Sequence, residues 1–87
     1  MELAAGRAKN AEPVTEVFKA KGIPIERYIA MDALGDNKEK AIKNGFKRAN
    51  FIVANLIEWD YKDTNGEAIT GIDFLIIWNT LCFFSLD

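Results

Sequence analysis

The sequence predicts an all-α fold: a small bundle of three to four helices organised by one long amphipathic helix over about 37–59. Three observations lead there. Apolar residues recur at helical spacing from Ile42 to Trp59, glycine and proline punctuate the chain before it, and a strong turn signal follows it. Placing Ile42 at 0° and advancing 100° per residue brings Phe46, Ala49, Val53, Leu56 and Ile57 within about 60° of it. Ala41, Ile52 and Trp59 widen that stripe. Asp36 or Asn37 is a natural N-cap, and Gly45 is tolerated inside at a cost of about 1 kcal/mol.

The other elements follow in order. Residues 1–11 are small and polar without apolar periodicity, and are expected to fray, leaving residues 12–87 as a single helical domain. Pro13 suits the first turn of a short helix that carries Val14, Val17 and Phe18 on one face. Gly22 and Pro24 end it. A second short helix is expected from about Ile25 to Leu34, closed by Gly35. After Trp59 the residues 60–71 form a tight acidic turn centred on Asn65-Gly66, either a hairpin of 59–62 with 68–70 or an irregular turn. The apolar run from Ile72 to Leu86 suits a helix capped by Asp73 or a buried strand, with helix favoured.

Composition limits the function classes. Eighty-seven residues make one domain at most, and 49% hydrophobic with 28% charged residues is a globular composition. The net charge of −2 gives no global attraction to nucleic acid or to anionic membranes. The C-terminal run is too short for a spanning helix and contains Asp73 and Asn79, so no membrane partner is expected. A single cysteine, Cys82, forms no internal disulfide, which fits a reducing cytoplasm.

No catalytic set, cofactor site or metal site is expected. Histidine is absent, so His-based triads and His-ligated metals are excluded. Cys82 lies in an apolar run with no basic neighbour to stabilise a thiolate. Asp60, Asp63, Glu67 and Asp73 cluster in sequence, but with Gly66 at position 6 of a calcium loop Tyr61 and Ile72 fall where ligands belong. Lys40, Lys43 and Lys47 share the polar face of the long helix and could track phosphates, although no aromatic is interleaved among them. Phe51 sits on that same polar face, where a large aromatic marks a candidate contact surface.

The run NGFKRANFIVANLIEWDYKDTNGEAIT resembles a stretch of the tail assembly chaperones of long-tailed bacteriophages. Trp59, Asp60, Asp63, Gly66 and Glu67 carry the resemblance, which covers about residues 38–70. It implies a non-enzymatic, self-associating helical protein that covers apolar surface of a client such as the tape-measure protein, in the bacterial host cytoplasm. Phe51, Trp59 and Trp78 are then the candidate partner-binding residues. The alternative is a small regulatory module that binds nucleic acid through Lys40, Lys43 and Lys47.

Overall fold

The computed structural model describes residues 1–77, and in them the chain is an α/β protein built on a parallel sheet. Four strands, β1 (Glu2–Leu3), β2 (Ala30–Asp32), β3 (Phe51–Val53) and β4 (Ile76–Ile77), lie in the order β3-β2-β1-β4, every pair parallel. Two helices, α1 (Ala11–Ala20) and α2 (Gly35–Lys43), connect β1 to β2 and β2 to β3. A short 3-10 turn at Arg48–Asn50 leads into β3. No helix among the described residues is long and apolar enough to cross a membrane.

This arrangement overturns the all-α bundle. Residues 1–11, expected to fray, contain one of the two inner strands of the sheet, and the helix expected over Ile25–Leu34 is replaced by β2. The long helix expected over 37–59 is a helix of nine residues, a glycine stop and a strand. Gly45 is the physical reason. It has φ of +96°, its N–H bonds the Ile42 carbonyl at 3.0 Å, and the Phe46 N–H bonds the Ala41 carbonyl at 3.0 Å. That pair of bonds is the Schellman ending, which needs a left-handed residue directly after the cap. Gly22 (φ +75°) ends α1 in the same way, through bonds to Lys19 and Phe18.

The strands are mostly apolar because the sheet is covered on both faces, so regular alternation with polar residues is lost. Register places Glu2, Ala30 and Phe51 on one face, where Ala30, Phe51, Ala8 and Ala41 form a core with Phe46 and Ala11 packed against it. Small side chains at Ala30 and Ala41 let α2 come close to the strands. The opposite face carries Leu3, Ile29, Met31 and Ile52, covered by Ala54, Leu56, Trp59 and Ile69 from the connection between β3 and β4. Part of that connection is the acidic turn. Lys62 and Ala68 form an antiparallel bridge around Asn65-Gly66, so of the two forms open for this segment it takes the hairpin-like one. The apolar C-terminal run, favoured as a helix, is irregular over 72–75 and forms β4 at Ile76–Ile77; its remainder, residues 78–87 with Trp78 and Cys82, lies outside the described residues.

Candidate functional site

The sheet changes direction of travel at β1. From β1 the chain steps one way to β2 and β3, then returns past β1 to lay down β4 on its other side. In open parallel sheets the connections on the two sides of such a switch point diverge and leave a crevice outside the carboxyl ends of the strands. Here a cleft of about 870 Å³ opens at that end, lined by the residues that follow β1, β2 and β3. Its volume is within the usual range for small-molecule sites, roughly 300–1,000 Å³.

Three segments build the cleft. After β1 comes Ala4-Ala5-Gly6-Arg7-Ala8-Lys9-Asn10, small at four positions and tightly coiled. Ala4 (φ +50°), Gly6 (+60°) and Ala8 (+60°) are all left-handed, a conformation that costs an alanine roughly 1 kcal/mol or more. Local strain of this kind collects at ligand sites, where the surrounding fold enforces it. The loop is pinned by the Ala5 N–H to the Met31 carbonyl at 2.9 Å and by the Gly6 N–H to Asp32 Oδ2 at 2.9 Å. After β3, Ala54, Asn55 and Leu56 form the far wall.

Asp32, at the carboxyl end of β2, is the centre of the site. Its Oδ1 accepts the Leu34 N–H at 2.9 Å, an Asx-type bond two residues on that directs the chain into α2. The same oxygen accepts from Asn37 Nδ2 at 3.1 Å, while Oδ2 takes the Gly6 N–H. The carboxylate therefore ties together the β1–α1 loop, the end of β2 and the first turn of α2. Both Asp32 and Asn37 line the cleft.

A second carboxylate lies beneath. Glu2 is only 2% exposed, yet its oxygens are satisfied by Tyr28 Oη at 2.7 Å and Asn10 Nδ2 at 3.0 Å. Burial, followed by the hydrogen bond and negative charge of Glu2, pushes the Tyr28 phenol far above its ordinary pKa, so it remains a donor. Phe46 packs edge-on against the Tyr28 ring. The cations Arg7, Lys9 and Lys40 complete the lining, with Lys40 paired to Asp36 at 3.3 Å.

The residues singled out from sequence are dispersed by this fold. Phe51 is 0% exposed, in the core beneath α2, and presents no surface to a partner. It looks solvent-facing only on a helical wheel, and it sits in a strand. Trp59 packs over the Leu3–Met31 face, donates from Nε1 to the Lys62 carbonyl at 3.1 Å and tilts against Tyr61. Trp78 lies outside the described residues. Lys40 belongs to the cleft, whereas Lys43 is on the last turn of α2 and Lys47 precedes the 3-10 turn, so the three do not form one helical face. Arg48 forks onto Glu39 at 3.0 and 3.1 Å, and its guanidinium holds the Glu39 carboxyl below its ordinary range. In the acidic turn Asp63 Oδ1 accepts the Asn65 and Glu67 N–H groups, and Asp60 Oδ1 accepts that of Lys62. These carboxylates cap a turn, and among the described residues no three acidic or thiol side chains converge as metal ligands do.

Sequence reasoning misses Asp32, Glu2, Asn37 and the 4–10 loop. A signal exists: MELAAG, YIAMD and FIVAN are short apolar runs, each followed at its carboxyl end by a turn-forming or polar residue. The starts of β1, β2 and β3 are 28 and 21 positions apart, the spacing of successive strand–helix–strand units. No family model, curated protein or solved structure matches the chain.

Proposed function

We infer that the chain is a cofactor-holding domain whose cleft binds a nucleoside-bearing small molecule, with the ribose on Asp32. The observation that carries this is the placement of Asp32: a pre-oriented carboxylate at the end of β2, in a cleft beside the switch point of a 3-2-1-4 parallel sheet. An acidic residue there accepts hydrogen bonds from ribose hydroxyls in doubly wound nucleotide-binding sheets, and the order β3-β2-β1-β4 is the first part of that topology. Fold alone does not give function, so the weight rests on the carboxylate and its surroundings.

Charge narrows the ligand. Dinucleotide sites use three glycines spaced G-x-G-x-x-G to bring backbone against a pyrophosphate. Here those positions hold Ala4, Gly6 and Lys9, so only the middle glycine is present. A pyrophosphate over this loop would also face the buried Glu2 carboxylate. A nucleoside whose tail is zwitterionic, of which S-adenosylmethionine is a common example, suits Glu2 below and Arg7 and Lys9 at the rim. On this reading the chain holds a small molecule, a role different from the non-enzymatic assembly role expected from its sequence, and no residue is assigned a catalytic step. The client-binding role implied by the chaperone resemblance would have to be built without Phe51.

The test is thermal melting and calorimetric titration with S-adenosylmethionine, AMP and NAD. S-adenosylmethionine should raise the melting temperature and NAD should not, and Asp32→Ala should remove the response while leaving a folded protein. Absence of binding by all three compounds would defeat the reading.

A further inference from the structure

Among the described residues three donors reach Asp32, leaving one acceptor position, and this limits what it can do by itself. An ionised carboxylate offers about four acceptor positions. Oδ1 already takes the Leu34 N–H and Asn37 Nδ2, and Oδ2 takes the Gly6 N–H. A ribose presents two adjacent hydroxyls, and Oδ2 can accept only one of them without giving up a loop contact. The second hydroxyl needs another acceptor close by. Asn37 is placed to supply it. Its amide must turn nitrogen toward the carboxylate, which has no proton to donate, so its oxygen is kept as an acceptor beside Asp32, and the residue lines the same cleft.

Resting on the nucleoside reading above, we propose that Asn37 is a specificity-determining residue: Asp32 Oδ2 accepts one ribose hydroxyl and the Asn37 amide oxygen accepts the other. The pair selects a ribonucleoside over a deoxyribonucleoside. It also rejects a ligand phosphorylated on either hydroxyl, because the acceptor facing that hydroxyl loses its donor and Asp32 repels the added charge. The selection works through a side chain on α2, so it is separable from the Asp32 contacts that hold the loop.

The experiment is NMR titration of the full chain with adenosine, 2′-deoxyadenosine and 3′-deoxyadenosine, for the native protein, Asn37→Ala and Asp32→Ala. The native protein should bind both deoxy analogues roughly five- to tenfold more weakly than adenosine, the worth of one hydrogen bond. Asn37→Ala should weaken adenosine by a similar factor and leave unchanged whichever analogue lacks the hydroxyl that Asn37 holds. Equal weakening of all three ligands by Asn37→Ala would reduce Asn37 to a support for Asp32 and overturn the proposal; so would an unchanged preference. If Asn37→Ala fails to fold, Asn37→Ser, which keeps an oxygen too short to reach both partners, gives the same comparison. Failure of both adenosine and S-adenosylmethionine to bind the native protein removes the nucleoside reading itself. Binding that is lost in Asp32→Ala but keeps its preference in Asn37→Ala sinks only the role of Asn37.

Discussion

Glu2 and Tyr28 set the chemistry of the interior because a buried carboxylate is tolerated only with donors on both oxygens. Removing the phenol oxygen in Tyr28→Phe leaves Oε1 without its 2.7 Å partner. The expected loss is about 1–3 kcal/mol, read as a lower midpoint in urea denaturation. The same pair fixes an alkaline limit. The folded pKa of Tyr28 is raised by burial first and then by Glu2, so the folded state holds the phenolic proton more tightly than the unfolded chain. Its contribution to stability is full below the unfolded value near 10 and declines as pH rises toward the folded one. Native protein should lose stability progressively above about pH 10, and Tyr28→Phe should show less of that loss.

At the scale of the element, the end of α2 decides the topology, since continuing the helix past Gly45 would abolish β3. Gly45 has open space around its missing side chain, so Gly45→Ala meets only backbone strain. It should cost about 1 kcal/mol by urea denaturation without changing the circular dichroism spectrum. Phe51→Ala should be far more damaging, about 3–5 kcal/mol, because its ring fills the space between β3 and α2 against Ala30, Ala41 and Phe46. A surface anchor would show no such loss, so this variant separates the buried position from the exposed one that a helical wheel suggests.

These two positions also explain what was legible in the sequence. The residues 41–59 satisfy a helical period by accident. Ala41, Phe46 and Phe51 pack on one face of the sheet, Ile52, Leu56 and Trp59 on the other, while Ala49 and Val53 of the supposed stripe are exposed. Strands of two or three residues are too short for a period of two to register, and burial on both faces erases alternation. Helix α1 and the turn at Asn65-Gly66 were legible because glycine and proline act locally. Asp32 was not: its meaning comes from Gly6, 26 positions earlier, and from Asn37 across the start of α2. Only the pairing of β1 with β2 brings Gly6 to Asp32.

For the whole molecule, the site and the sheet stand or fall together, since the carboxyl ends of three strands form the cleft. A ligand that binds only the folded state at 100 times its dissociation constant adds about 2.7 kcal/mol. In a domain of this size that should raise the melting temperature by several degrees or more. The shift should be lost in Asp32→Ala and should depend little on salt. A steep salt dependence would instead point to contacts dominated by the cleft cations Arg7, Lys9 and Lys40.

The inner position of β1 also bears on how the chain reaches this state. Glu2 pairs with Ala30 on one side and with Ile76 on the other, 74 positions later. At roughly 5–20 residues per second, a ribosome needs about 4–15 s to deliver the second partner. Throughout that interval the strand that will lie inside the sheet is an open edge. The nascent chain thus passes through a stage in which a strand destined for burial is available to any extended peptide nearby, and speed of synthesis becomes a determinant of yield.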